Sequence, residues 1–189
     1  TGGSRGIGKE TAREFLLAGA KVMTCSRHGD ELDATCKELT NLTGGEIHSM
    51  VADMTNPQDI QKLVKKTVEV YGTVDILINN AGTMYSGRFA EMTDEGLQTQ
   101  LDTKLFGFLR AIREVAPIMR AKKWGRIVSL IGGAGKEPDP YMFGSGMTNS
   151  ALLNLTKSLS TEFAPDNVLV NAVCPGWVAT QLWRTHAEG

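Results

Sequence analysis

Three groups of residues in this 189-residue chain have types and spacings that could do chemistry. The first is Thr1-Gly2-Gly3-Ser4-Arg5-Gly6-Ile7-Gly8, with glycines at 2, 6 and 8 ahead of a stretch with helical spacing of apolar residues. Glycine allows a tight turn, close approach of backbone to a phosphate, and tight helix packing. The helix start behind the turn directs amide donors and partial positive charge at an anion. The same pattern is also that of an ordinary tight loop. The second is Lys104, which at 100° per residue shares a helix face with Leu97, Leu101, Phe108 and Val115. A lysine on an apolar stripe either snorkels at its edge or is used chemically. The third is a pair of phenols, Tyr85 and Tyr141, each a proton donor or a packing aromatic. Metal chemistry is not indicated. His28, His48 and His186 are scattered, as are Cys25, Cys36 and Cys174, and none has ligand spacing.

The elements that must position these residues alternate in kind. Short Val/Ile/Leu-rich runs at 20–25, 47–51, 74–78, 126–131 and 168–173 predict strands. Longer stretches at 7–18, 30–42, 57–71, 94–120 and 143–163 have helical spacing. Near-continuous apolar strands alternating with helices predict a doubly wound parallel sheet of the α/β class, Rossmann-like, in a single domain over 1–189. Asn56-Pro57 reads as N-cap then first helical position, and Thr93-Asp94-Glu95 as a capped, acidic first turn. A glycine turn of this kind follows a strand, so a first strand is expected ahead of Thr1, and a closing lid past Gly189.

Composition narrows the function classes. Apolar residues make up 41% and glycine numbers 21, a share above the usual roughly 7%. Lys+Arg is 20 against 21 for Asp+Glu, which offers no electrostatic footprint for nucleic acid or an anionic membrane. No apolar run reaches the ~20 residues of a membrane span. Unpaired, widely spaced cysteines suit a reduced, cytoplasmic protein. The lysines at 62, 65 and 66 read as a solvated helix face.

TGGSRGIG resembles the glycine motif of the short-chain dehydrogenases/reductases, and further motifs follow in that family's order. Asp53, with Met54 beside it, resembles the acid that contacts adenine. Asn79-Asn80-Ala81-Gly82 resembles the NNAG segment, and Pro175-Gly176-Trp177-Val178-Ala179-Thr180 the PGxVxT segment beside the nicotinamide. The resemblance spans the chain and implies a dinucleotide held by Gly2, Ser4, Arg5, Gly6, Ile7, Gly8, Asp53, Met54, Asn80, Ala81, Gly82, Pro175, Gly176, Val178 and Thr180. Members that take NAD place an acid at the end of the second strand, where it holds ribose hydroxyls. Here that position is Ser26, followed by Arg27, with Arg5 in the glycine turn. Two guanidiniums and a hydroxyl suit a dianionic phosphate, so NADP(H) is the expected cofactor. The alternative is that both arginines are ordinary solvated side chains.

The family's catalytic signature is replaced. Its serine position falls on Gly132, its tyrosine on Ser145, its lysine on Asn149 and its helical asparagine on Lys104. Lysine and asparagine have thus exchanged places, which suggests that Lys104 supplies the cation from the opposite helix with Asn149 holding it. A tyrosine needs such a cation to ionise near neutrality, and a serine hydroxyl is far less acidic, so the proton donor is open between Tyr141 and Tyr85. Candidate catalytic residues are therefore Lys104, Ser145, Asn149 and Tyr141. Trp177 and Trp183 could line a substrate pocket or cover the core. The resemblance implies hydride transfer between NADP(H) and a small-molecule carbonyl or alcohol. A redox-inactive NADP(H)-binding sensor or partner subunit is the alternative, and a lyase or isomerase a weaker one. It also implies a homodimer or homotetramer through apolar helix faces (Leu105, Leu109, Ile112; Leu152, Leu155, Leu159), residues that could equally be core.

Overall fold

The computed structural model describes residues 1–180. Five strands and six α-helices alternate: α1 (Gly6–Leu17), β1 (Val22–Ser26), α2 (Gly29–Thr43), β2 (Ile47–Val51), α3 (Pro57–Tyr71), β3 (Ile76–Asn79), α4 (Asp94–Gln100), α5 (Gly107–Ala121), β4 (Gly125–Leu130), α6 (Phe143–Phe163) and β5 (Val168–Val173). Every strand pairing is parallel, as the apolar runs predict. Helix starts follow the local chemistry. Asn56 Oδ1 accepts the Gln58 N–H at 2.9 Å and Pro57 opens α3. Thr93 Oγ1 accepts the Gly96 N–H at 3.1 Å to start α4.

The strands form two ladders. β1 pairs with β2, and β3, β4 and β5 pair in that order. Between β1 and β3 lies a groove of about 430 Å³, lined in part by Val22, Val74, Leu77, Leu63 and Ala12. Its upper end is closed by the first residues of the chain: the Thr1 amino group donates to Ile78 O at 2.8 Å, and Gly3 N–H to Cys25 O at 3.1 Å. The strand expected ahead of Thr1 and the lid past Gly189 lie outside the described residues, as do Trp183 and His186.

The main core joins Cys25, Ala52, Ile60, Val115, Met119, Ile127 and Val168 across strands and helices. A second cluster of Phe108, Ile131 and Leu152 ties the start of α5 to the end of β4 and to α6. Ile112 and Leu152 are buried, at 5% and 1% exposure. Leu105 and Leu155 pack on the Phe108 cluster, and Leu159 on the main core. Ile112 and Leu152 therefore serve the subunit's own interior, while Leu105, Leu109, Leu155 and Leu159 are only partly buried. Among the described residues no helix is long and apolar enough to cross a membrane.

The single helix expected over 94–120 is continuous but not uniformly α-helical. Residues Leu101–Phe106 form a π-helical turn between α4 and α5. This wider turn shifts everything after it relative to Leu97 and Leu101, so the helical-wheel stripe does not run through. Phe108 and Val115 are fully buried, whereas Leu97 and Leu101 are half-buried. Close packing contributes: a Cβ on Gly107 would lie 3.1 Å from Met54 O. Lys104 sits inside the π turn rather than on a regular helical face.

The Phe108 cluster anchors the π turn, so truncating it should be felt at the site. Phe108→Ala is expected to cost about 3–5 kcal/mol of unfolding free energy, measured by urea denaturation.

Candidate active site

The glycine turn is built by close contacts. Gly2 and Gly6 have φ of +69° and +54°, a region costly for side-chain-bearing residues. A Cβ on Gly8 would lie 2.1 Å from Gly2 O and 2.5 Å from Asn80 Nδ2. Gly8 thus shapes the turn from behind. Asn80 fixes the turn to the loop after β3: its Nδ2 donates to Thr1 O and Gly2 O at 3.0 and 3.1 Å. Thr1 Oγ1 in turn accepts the N–H groups of Asn80 and Ala81. The threonine's role escaped the sequence reading, because nothing in its type or spacing distinguishes it.

A cleft of about 190 Å³ opens in front of this turn. Gly2, Ser4, Arg5, Gly6 and Ile7 form one wall; Ser26, Arg27, His28 and Glu31 form the end at β1. Asp53 and Met54 line it from β2, and Asn80, Ala81 and Gly82 from β3. The N-cap of α1 is Arg5, whose side chain makes no capping hydrogen bond, so the N-cap side chain leaves the first-turn amides available toward the cleft. The Asp53 carboxylate accepts the Thr55 N–H at 2.8 Å, which holds the loop after β2 in a turn. Of the 175–180 segment, only Thr180 lines the cleft, near Gly6. Pro175 O accepts the Gly133 N–H at 3.1 Å. Gly176 and Val178 are exposed and line no part of the cleft. Trp177 is 70% exposed and covers no core.

Behind Gly82, Lys104 crosses from the π turn to the end of β4. Its Nζ donates to Ile131 O at 2.6 Å and to Asn149 Oδ1 at 2.8 Å. An ammonium has three donors, and the described residues engage two of them. Burial pulls the amine down to about 8 from its ordinary 10.5, a shift that the neighbouring Cys174 side chain opposes. Asn149 is itself buried, at 3% exposure. The lysine is therefore held, not snorkelling. The exchange of lysine and asparagine read from the sequence brings those two side chains into contact.

The other catalytic candidates are placed elsewhere. Ser145 is 4% exposed, and its hydroxyl bonds both the N–H and the C=O of Tyr85 at 3.2 Å. It ties the 83–92 loop to α6. The Tyr85 ring fills a slot left by two glycines, since Cβ atoms on Gly96 and Gly144 would lie 2.3 and 2.7 Å from it. Its hydroxyl accepts the Thr93 N–H at 2.7 Å, at the start of α4. Tyr141 is half exposed and engaged by Arg88, which donates to its hydroxyl at 2.6 Å and lies over its ring. The hydrogen bonds of Lys104 go to Ile131 and Asn149, and those of the two phenols to Thr93 and Arg88.

A family model for short chain dehydrogenases matches residues 1–189. The chain belongs to the short-chain dehydrogenase family. It is 37% identical over 184 residues to a putative ketoacyl reductase of granaticin polyketide synthesis from Streptomyces violaceoruber, covering 96% of this chain and 67% of that one. Among solved structures, actinorhodin polyketide ketoreductase with NADPH superposes with a TM-score of 0.96 at 35% identity, covering 99% of this chain and 72% of that one. An NADPH-bound short-chain oxidoreductase from Pseudomonas aeruginosa, described as containing an atypical catalytic center, superposes at 0.94 with 31% identity, covering 99% and 73%. These likenesses make the short-chain dehydrogenase an oxidoreductase, and they lend no support to a redox-inactive sensor or partner subunit.

In this short-chain dehydrogenase the position expected for serine cannot accept one without strain. Gly132 has φ +99°, and a Cβ there would lie 3.2 Å from Asn149 Nδ2. Gly132→Ser is therefore expected to cost about 1–3 kcal/mol and to displace Asn149 from Lys104. Thermal unfolding checks the first effect, and a further downward shift of the Lys104 titration, as the ammonium loses an acceptor, followed by NMR, checks the second.

Proposed function

We propose that this short-chain dehydrogenase interconverts a small-molecule carbonyl and its alcohol with NADP(H), and that Lys104 is the cation and proton carrier at the reacting oxygen. One observation carries the reading: a buried lysine amine held by Ile131 O and Asn149 Oδ1, with its third N–H unengaged among the described residues. The cleft's donor set fits the cofactor. Arg5, Arg27 and Ser26 suit a 2′-phosphate, and the uncapped start of α1 with the glycine turn suits the pyrophosphate. NADP(H), when bound, supplies or accepts hydride at the nicotinamide. Pro175, Gly176 and Val178 belong to this reading as the segment flanking the nicotinamide.

The protein's own part is to hold and move one proton. The Lys104 ammonium polarises a carbonyl oxygen and gives it a proton as the alcohol forms; water then reprotonates the amine. Asn149 and Ile131 O fix where that proton points. Ser145 serves through the Tyr85 loop, and Tyr141 through Arg88, as positioning residues. The relatives named for ketoacyl reduction favour a ketone substrate. Association into a homodimer or homotetramer belongs to the same reading and is measured by sedimentation.

Lys104→Met should abolish turnover across a panel of ketones and acyl thioesters while leaving the dissociation constant for NADPH within about twofold; unchanged turnover overturns the assignment. The pH profile follows from the sign. Reduction needs the protonated amine, so its rate should fall above pH about 8, near the lowered value for Lys104. Alcohol oxidation needs the free amine and should rise through the same range.

A further inference from the structure

The end of the cleft that suits a 2′-phosphate also contains an acid. Glu31 lies in the first turn of α2 and lines the cleft beside Ser4, Arg5, Ser26 and Arg27. Its Oε2 accepts the Ser4 hydroxyl at 2.9 Å, and its Oε1 lies 3.9 Å from Arg5 Nη1. The carboxylate thus holds one donor of the glycine turn, the Ser4 hydroxyl, and lies at ion-pair distance from a second, Arg5.

A phosphate and a ribose hydroxyl meet this arrangement differently. A phosphate needs the donors that Glu31 holds and is repelled by its charge. A hydroxyl can instead donate to the carboxylate, as acids at this end of a dinucleotide site do. The Arg5 and Glu31 side chains are 53% and 37% exposed, so their ion pair is weak and easily exchanged. The negative charge of Glu31 persists after the exchange.

We propose that Glu31 is a specificity-determining residue that limits the preference of this cleft for a 2′-phosphorylated adenosine, by competing with the phosphate for Ser4 and Arg5 and by accepting the hydroxyl of the unphosphorylated ribose. The proposal rests on the NADP(H) reading above. It makes this a site of graded rather than absolute discrimination, with Arg5 and Arg27 favouring phosphate and Glu31 favouring hydroxyl.

The test is calorimetric titration of the full chain with adenosine 2′,5′-diphosphate and adenosine 5′-monophosphate, ligands that leave turnover out of the measurement. Glu31→Gln keeps the shape and the acceptor for Ser4 and removes the charge; Glu31→Ala removes both. The expected result for both variants is about fivefold tighter binding of the diphosphate, with the monophosphate unchanged or weaker. Equal shifts for the two ligands, as a merely structural role would give, or no tightening of the diphosphate, overturn the proposal. Arg27→Ala separates the two levels. If it collapses a wild-type preference for the diphosphate while the Glu31 variants do nothing, only the Glu31 assignment fails. If the wild type shows no such preference, the NADP(H) reading fails and the proposal with it.

Discussion

A buried amine has to have its protons accounted for, and much of the substrate end of this structure follows from that requirement. Lys104 is held by one backbone carbonyl from the end of β4 and one side-chain carbonyl from α6. Leaving such a group unpaired in a partly desolvated place would be costly. Satisfying it demands that three elements meet within hydrogen-bond distance. The π turn swings the lysine out of the regular helical path. Gly132, with its left-handed φ, lets the chain turn off β4 beside Asn149. Gly135 allows α6 close enough, since a Cβ there would lie 2.7 Å from that of Asn149. The Phe108, Ile131 and Leu152 cluster then supplies the apolar packing under the contact.

The cofactor end obeys a different constraint, close approach of backbone. Gly2, Gly8 and Asn80 interlock so tightly that a side chain at Gly8 would overlap the turn. The loop after β3 and the turn before α1 therefore behave as one unit, pinned by the Asn80 amide and the Thr1 hydroxyl. Charge at the far corner is balanced rather than uniformly positive. Arg5 and Arg27 face it together with Glu31, and all three are exposed enough to rearrange around a ligand.

Several parts of this arrangement were legible in the chain. The five strands and the limits of α3, α6, β2 and β5 follow from apolar periodicity, Pro57 and Asn56. The glycine turn, the 79–82 loop and Asp53 were readable because their chemistry depends on residue type. The exchange of lysine and asparagine was readable as well, once the 125–131 strand and the 143–163 helix fixed the register. What escaped was anything resting on contacts between distant segments. A serine hydroxyl at 145 looks the same in sequence whether it faces a substrate or the backbone of Tyr85. The slot between Gly96 and Gly144 joins residues 48 apart and leaves no local signal.

By itself, the sequence determined the alternation of strands and helices, the parallel sheet and the cleft at the ends of its strands. These depend on patterning and on glycine and charge at fixed local spacing. Only the tertiary structure decided which polar groups are already used. It bonded Ser145 to Tyr85, Tyr85 to Thr93 and Tyr141 to Arg88, put a π turn inside the 94–120 helix, turned Ile112 and Leu152 inward, and placed Glu31 on Ser4 and beside Arg5. The physical reason is that a hydrogen bond or a buried charge is satisfied in space, by whatever the fold brings within about 3 Å, and sequence distance carries no information about that.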